Sequence, residues 1–130
     1  MHQRLYEKLI VWQEAHKLCL RVYAITANFP SHEKFGLVSQ MRRSGYSVPT
    51  NIAEGNSRRT PRDKQNFLTI ATSSLEELHY QSILTRDLGY ISQIEFDELN
   101  DRSKRVGYLL HNLYLSLNQK LLPSKIFSYS

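Results

Sequence analysis

The chain has 130 residues, of which 41% are hydrophobic and 22% are charged. This composition is ordinary for a soluble globular protein, and the length suits one domain. No apolar run approaches the roughly 18 residues of a membrane span, and the N-terminal residues lack the apolar stretch of a signal peptide. Cys19 is the single cysteine, which excludes an internal disulfide and a thiolate zinc site. We expect one domain over residues 1–123, a flexible tail over 124–130 and a cytoplasmic location.

The net charge of +5 is concentrated in one segment. Residues 42–64 contain six basic and two acidic side chains, so this segment carries +4 and the rest of the chain carries +1. The basic residues of the segment are Arg42, Arg43, Arg58, Arg59, Arg62 and Lys64. A local excess of positive charge can hold a polyanion in a way that an evenly spread charge does not.

Helical periodicity begins near the N-terminus. Apolar residues recur at spacings of three and four and predict a first helix that ends before Pro30. These residues are Val11, Ala15, Leu18, Val22, Ile25 and Phe29. Ser31 is the predicted N-cap of a second helix. The core-facing residues of that helix are predicted to be Leu37, Met41, Ser44, Val48, Ile52 and Gly55.

Pro49 lies inside the predicted second helix. It cannot donate a hydrogen bond to the carbonyl of Gly45, and this predicts a kink between the two residues. Four residues are predicted to point away from the core: Arg42, Tyr46, Pro49 and Ala53. Several small residues would let another backbone approach closely: Ser44, Gly45, Ser47, Ala53 and Gly55. They fit either a bent helix packed within its own bundle or a face that packs on another protomer.

The third helix has a clear start. Thr60 is its predicted N-cap, and Pro61 occupies the first helical position. Its core-facing residues are predicted to be Phe67, Ala71, Ser74 and Leu78, with an end near Leu88. Gly89 suits the left-handed conformation that follows many helices.

Ser92 and Glu95 form a capping box that predicts the start of a fourth helix. This helix is predicted to end before Pro123 and to carry a core seam of Leu99, Val106, Leu110, Leu113 and Leu117. Four amphipathic helices joined by short loops predict an all-α, antiparallel up-down-up-down four-helix bundle.

Residues 29–55, FPSHEKFGLVSQMRRSGYSVPTNIAEG, resemble the signature of a known family. Its members are four-helix-bundle proteins encoded by intervening sequences within bacterial 23S rRNA genes. The matching signature residues are Phe29, Pro30, Gly36, Gln40, Pro49, Asn51, Glu54 and Gly55. Residues 9–13, 74–78 and 88–91 also agree with the family's pattern. Gly45 and Tyr46 stand where the family more often has small residues such as alanine.

The resemblance implies a ring-like homopentamer. Related bundles are accessory variability determinants of diversity-generating retroelements, which bind a reverse transcriptase and, through basic surface, nucleic acid. The resemblance therefore implies three kinds of partner for this chain: copies of itself, the RNA or DNA phosphate backbone, and a reverse transcriptase.

The six basic residues of segment 42–64 are the candidate nucleic-acid-binding residues. Guanidinium groups make bidentate contacts to phosphate and are permanently charged. The alternative is a solvated basic face in which Arg58 pairs with Glu54 at i,i+4 spacing. The eight tyrosines do not interleave with the arginines along the chain, and nothing resembles a recognition helix or a base-stacking platform.

No catalytic, metal or cofactor site is expected. Glu76 and His79 have the Glu-x-x-His spacing of di-iron bundles, but no other helix supplies the second motif that such sites need. Asn51 and Glu54 are predicted to be structural, either by bonding carbonyl groups near Pro49 or by connecting helix ends.

The pattern favours a non-enzymatic oligomeric adaptor that presents a basic surface to RNA or DNA, in a ribosomal RNA context or beside a reverse transcriptase. Two alternatives are open. One is a purely structural protein–protein interaction module whose arginines meet acidic protein surface, and the other is a small hydrolase or nuclease.

Overall fold

The structure, a computed structural model, describes residues 3–121, with side chains through residue 118. Four long helices make up most of this part of the chain, which contains no strand. They are α1 (Ile10–Thr26), α2 (Ser39–Asn56), α3 (Pro61–Asp87) and α4 (Gln93–Leu121). Both α1 and α3 pack against α2 and α4. The predicted all-α four-helix fold is confirmed, whereas the predicted tail over 124–130 lies outside the described residues.

Hydrogen bonds and backbone conformation at the helix ends confirm three sequence predictions. The Thr60 hydroxyl accepts a hydrogen bond from the amide of Asp63 at 3.1 Å and caps α3. Ser92 and Glu95 bond reciprocally at 2.9 and 3.0 Å before α4. Gly89 has a φ of 79°, the left-handed conformation that glycine adopts without a steric penalty.

The entry to α2 differs from the prediction. Residues Ser31–Glu33 form a 3-10 turn and Lys34–Val38 an irregular π-helical turn, so Ser31 is not the N-cap of α2. The Glu33 carboxylate instead accepts a hydrogen bond from the amide of Leu37 at 3.4 Å. A Cβ atom at Gly36 would lie 2.8 Å from the Glu33 carboxylate oxygen. A side chain at this position would therefore displace the flexible Glu33 carboxylate from its hydrogen bond with Leu37.

Helix α2 is continuous through Pro49. The non-helical backbone at its entry is at Gly36, and a kink between Gly45 and Pro49 stays a prediction. Pro49 is buried, but it lies with Tyr46 and Ala53 beside the space between α1 and α2 and not among the core residues. Burial therefore extends beyond the predicted seam because α2 packs against α1 and α3 at once.

The small residues of α2 pack mainly within the chain. Gly45 lies against Val22 of α1, where an added Cβ would make ordinary contacts at 3.6 Å. A Cβ at Gly55 would lie 3.0 Å from the Phe67 Cβ of α3, tighter than side chains tolerate without a shift. Ser44 is also buried. These three residues support the interpretation of a helix packed within its own bundle.

The core confirms the predicted seam of α1, whose six residues are all buried. The seam predicted for α3 is partly wrong. Phe67 and Ser74 are only half-buried, and the buried apolar residues of α3 are Leu68, Ala71, Leu75 and Leu78. Four buried positions of α3 are polar, and they interrupt the apolar periodicity from which the seam was predicted. They are Gln65, Gln81, Ser82 and Thr85.

Among residues 3–121, no helix is both long enough and apolar enough to cross a bilayer.

Candidate nucleic-acid interface

The six candidate basic residues differ in how strongly contacts within the chain hold them. Arg42 is half-buried against the end of α1: it donates to the Thr26 hydroxyl at 3.0 Å and to the Tyr23 carbonyl at 3.3 Å. Its guanidinium carbon lies 4.6 Å from the centroid of the Tyr23 ring. Arg42 therefore joins α2 to α1 and is not part of a cluster at the α2–α3 loop.

Lys64 has a similar structural role at the other end of α2. Its ammonium group donates to the carbonyl of Asn56 at 3.0 Å, and the residue is half-buried. A cation at the C-terminus of a helix satisfies a free carbonyl and complements the helix dipole. Lys64 is thus committed to capping α2.

Arg58 is partly engaged by its neighbours. It lies 3.9 Å from the Glu54 carboxylate, which is the predicted i,i+4 pair, and its guanidinium carbon lies 4.5 Å from the Phe67 ring centroid. The arginine side chain is 46% exposed. An exposed pair of this kind contributes only about 0.2–1 kcal/mol, so Arg58 remains accessible to a ligand.

The three other arginines are exposed on the surface. Arg43 lies on α2, Arg59 in the four-residue loop 57–60 and Arg62 in the first turn of α3. None of them has an ion pair or a side-chain hydrogen bond with any residue between 3 and 118. We call Arg58, Arg59 and Arg62 the junction patch, since they surround the connection between α2 and α3.

The α1–α4 face contains a second set of cations that the sequence did not reveal. Glu98 accepts hydrogen bonds from Arg21 at 2.8 and 2.9 Å and from Arg102 at 3.2 Å. Glu14 is bonded by Arg105 and lies 3.5 Å from Lys17. We call this group of six residues the paired face.

Both carboxylates of the paired face are held in the ionised form. The hydrogen bond from Arg105 lowers the pKa of Glu14, and this effect outweighs desolvation. Desolvation is the largest single influence on Glu98 and raises its pKa, but the hydrogen bonds and charges of Arg21 and Arg102 together bring the pKa below its ordinary value. Each arginine of this face therefore has an ionised carboxylate beside it at neutral pH.

Between α1 and α2 lies an open groove of ≈590 Å³. Aromatic side chains from distant parts of the chain line it, namely Tyr6, Trp12, His16, Tyr23 and Tyr46. From the sequence we expected no base-stacking platform, and this groove, which two helices form together, was not predicted. One signal was available: Trp12, His16 and Tyr23 lie on one stripe of α1, but the contribution of α2 depends on tertiary packing.

The signature residue Asn51 has a structural role. Its side-chain amide donates to the Ser47 carbonyl at 2.8 Å and to the Ser47 hydroxyl at 3.0 Å. That hydroxyl lies 2.8 Å from the hydroxyl of Ser74 on α3. Asn51 thus connects α2 to α3, and the carbonyl that it bonds is that of Ser47 and not that of Gly45, the one left without a donor by Pro49.

The remaining signature residues lie at helix ends. Phe29 is buried with its ring centroid 5.4 Å from that of Tyr90, and the Pro30 carbonyl accepts the Glu33 amide at 2.9 Å. The Gln40 carbonyl accepts the Ser44 hydroxyl at 3.1 Å. The Glu54 carbonyl accepts the Ser57 hydroxyl at 2.7 Å. These contacts are structural and place no reactive group.

Glu76 and His79, the pair with di-iron spacing, line a shallow depression together with Lys104. Among residues 3–121, no group of three or more histidine, cysteine, aspartate or glutamate side chains is placed to hold a metal ion. Cys19 is buried, and desolvation raises the pKa of its thiol.

Comparison with known proteins places this arrangement in a family. A sequence profile described as "23S rRNA-intervening sequence protein" matches residues 7–112. Comparison with curated proteins finds no significant match. Among solved structures, the chain is similar to a protein of unknown function from the S23 ribosomal protein family of Bacteroides thetaiotaomicron VPI-5482.

That structure superposes with a TM-score of 0.73 at 25% sequence identity, and the match covers 81% of this chain and 98% of the other. The profile match extends from the 3-10 turn before α1 to late in α4, and so includes the signature residues described above. The chain belongs to the 23S rRNA-intervening sequence protein family.

Proposed function

We propose that the protein is a non-enzymatic, oligomeric adaptor that presents basic surface to the phosphate backbone of RNA or DNA. One observation carries the proposal: Arg43, Arg59 and Arg62 are exposed and have no partner among the described side chains. Unpaired guanidinium groups gain most from contact with phosphate, because binding breaks no existing ion pair. The family's name, which refers to 23S rRNA, supports RNA as the first nucleic acid to test.

Repetition of the patch by self-assembly is part of the proposal. We expect a ring-like homopentamer, in which five copies of the junction patch surround one axis. Large apolar side chains are exposed on several helices, among them Ile10 (59% exposed), Ile70 (47%) and Leu115 (45%), and self-assembly would bury such side chains. A mass measurement by light scattering tests this expectation, and a monomer at micromolar concentration would contradict it.

An antiparallel up-down-up-down bundle completes the proposed architecture. Contacts between the start of one helix and the end of the next support it. Gln65, early in α3, donates to Asn118, late in α4, at 2.6 Å. Arg21, late in α1, bonds Glu98, early in α4.

The protein partner is proposed to be a reverse transcriptase, and the location cytoplasmic. Both proposals rest on the sequence alone. A purely structural module is the competing function. It predicts that the protein recovers one partner from cell extract after nuclease treatment and binds RNA no more tightly than an uncharged bundle does.

Salt dependence of RNA binding tests the proposal directly. Binding through phosphate contacts releases counterions, so the logarithm of the association constant falls linearly with the logarithm of salt concentration. We expect Arg59→Ala with Arg62→Ala, which removes two arginines without a partner among the described side chains, to reduce that slope by about 0.7 for each lost contact to a single strand. The matched control is Arg102→Ala with Arg105→Ala, which removes two arginines that already have a carboxylate partner. Equal affinity at 50 and 200 mM salt would contradict the proposal.

A further inference from the structure

We propose that the groove between α1 and α2 binds unpaired nucleotides by stacking bases on its aromatic side chains. This inference rests on the proposed function and deepens it, because it distinguishes single-stranded from duplex nucleic acid. In the proposed function, exposed arginines contact phosphate and the groove has no role. The groove contains the chemistry that recognises bases without regard to sequence.

The aromatic surface of the groove is extensive and partly open. Tyr23 is 40% exposed and Tyr46 is 48% exposed, one on each side of the groove. The Trp12 and His16 rings stack with centroids 5.1 Å apart and planes inclined by 10°. Tyr6 meets the edge of Trp12 at 5.2 Å. These contacts hold the rings in place, so stacking by a ligand would cost little side-chain entropy.

The size of the groove fits this ligand class. Its volume of ≈590 Å³ lies within the range of about 300–1,000 Å³ that small-molecule and cofactor sites occupy. Leu20 and Pro49 add apolar surface to the same wall. An open groove also suits a chain that enters at one end and leaves at the other.

Cations at one end of the groove favour a polyanion over an apolar peptide. Arg42 lies over the ring of Tyr23, one of the aromatic side chains that line the groove. Arg43 precedes Tyr46 by three residues, and side chains at this spacing are neighbours on a helix surface. Arg43 is exposed and has no partner among the described side chains, so it is available for phosphate.

The other end of the groove carries Glu54. It lies about 16 Å along α2 from Arg43, since each helical residue rises 1.5 Å. A carboxylate accepts hydrogen bonds from the amino groups of bases and repels phosphate. The groove therefore has a direction, with phosphate near Arg43 and a base edge near Glu54.

Trp12, the only tryptophan of the chain, provides a direct readout. Full-length protein is titrated with a 12-nucleotide oligocytidylate, whose bases carry amino groups, and with a 12-base-pair RNA duplex while tryptophan emission is recorded. We expect the single strand to quench Trp12 and to bind at least tenfold more tightly than the duplex. A duplex cannot offer its base faces to the groove because they are already stacked.

Substitutions separate stacking from charge. Tyr46→Ala is expected to weaken binding of the single strand about tenfold and to leave the salt slope unchanged. Arg43→Gln is expected to reduce the slope. Tyr108→Ala is the matched control, because Tyr108 is 65% exposed on α4, away from the groove. Helical circular dichroism checks that each variant is folded.

Three results would overturn the inference. Salt-dependent binding with equal affinity for both RNAs and no quenching would exclude base stacking in the groove and leave the proposed function intact. Tryptophan emission that changes on protein dilution but not on RNA addition would show that a second copy occupies the groove. Absence of binding to either RNA at low salt would refute both the inference and the proposed function.

Discussion

The junction patch and the paired face both contain arginines, yet they differ in what surrounds each guanidinium group. On the paired face, Arg21 and Arg102 share the Glu98 carboxylate and Arg105 bonds Glu14. At the α2–α3 connection, Arg59 and Arg62 have no such partner among the described residues. The difference shows that a count of basic residues does not locate a binding surface. The position of carboxylates in three dimensions decides which cations are available to a ligand.

Removal of the unpaired arginines should give the largest effect. The triple variant Arg43→Gln, Arg59→Gln and Arg62→Gln is expected to reduce RNA affinity at 50 mM salt on the order of 100-fold, because three phosphate contacts are lost. The matched variant replaces Arg21, Arg102 and Arg105 with glutamine. It should bind RNA within a few fold of the wild type, measured by fluorescence anisotropy. Equal losses of RNA affinity in the two variants would show that ion pairing does not decide which arginines bind RNA.

The geometry that positions the junction patch depends on Gly55. Gly55→Ala should destabilise the protein by about 1–2 kcal/mol, since overpacking against Phe67 exceeds the gain in helix propensity. Gly45→Ala is the control: its Cβ would meet Val22 at 3.6 Å, so the gain of about 0.5–1 kcal/mol should dominate. Thermal unfolding measures both changes. A higher melting temperature for both variants would contradict the close approach of α2 to α3.

Loss of one carboxylate should make the paired face resemble the junction patch. Glu98→Gln is expected to destabilise the protein by about 0.2–1 kcal/mol, because the pair is partly exposed. The same variant should bind RNA several-fold more tightly, since Arg21 and Arg102 lose their partner. Denaturant unfolding and anisotropy measure the two changes. Unchanged RNA affinity would show that the paired face is too far from the bound strand.

The smallest effect concerns pH. The pKa values of Glu14 and Glu98 are lowered in the folded state, so their contribution to stability is complete above the unfolded value of about 4.3. It is lost as pH falls through the lower, folded pKa values. A Glu14→Gln, Glu98→Gln variant should therefore lose less stability between pH 5 and 3 than the wild type. Identical pH profiles would show that these pairs contribute nothing measurable.

Much of the fold follows from local sequence signals. The Thr60 cap, the Ser92–Glu95 capping box and the Gly89 turn depend on residues close together in the chain, and all three predictions are confirmed. The α3 seam depends on more than periodicity. Ser82 and Thr85 are buried because their hydroxyls bond the carbonyls of Leu78 and Gln81 at 2.9 Å, which removes the penalty for burying them.

The candidate site is less accessible to sequence reasoning. Six basic residues in one segment suggest one cluster, but Arg42 lies against the end of α1 and Lys64 caps α2. Both contacts depend on how the helices pack. The groove combines Trp12 and Tyr23 with Tyr46 from another helix, so no local pattern predicts it. Charge composition made this region the candidate, and tertiary structure determined which of its basic residues are free of contacts within the described chain.

The irregular turn over Lys34–Val38 has a consequence for how the chain can change in length. Deleting one residue inside α2 would rotate everything beyond it by about 100° and turn Met41, Val48 and Ile52 out of the core. At Gly36 the backbone is already non-helical, with φ −109° and ψ −110°, so the turn can absorb such a change before α2 begins. Insertions and deletions between the first two long helices should therefore be accommodated in this turn.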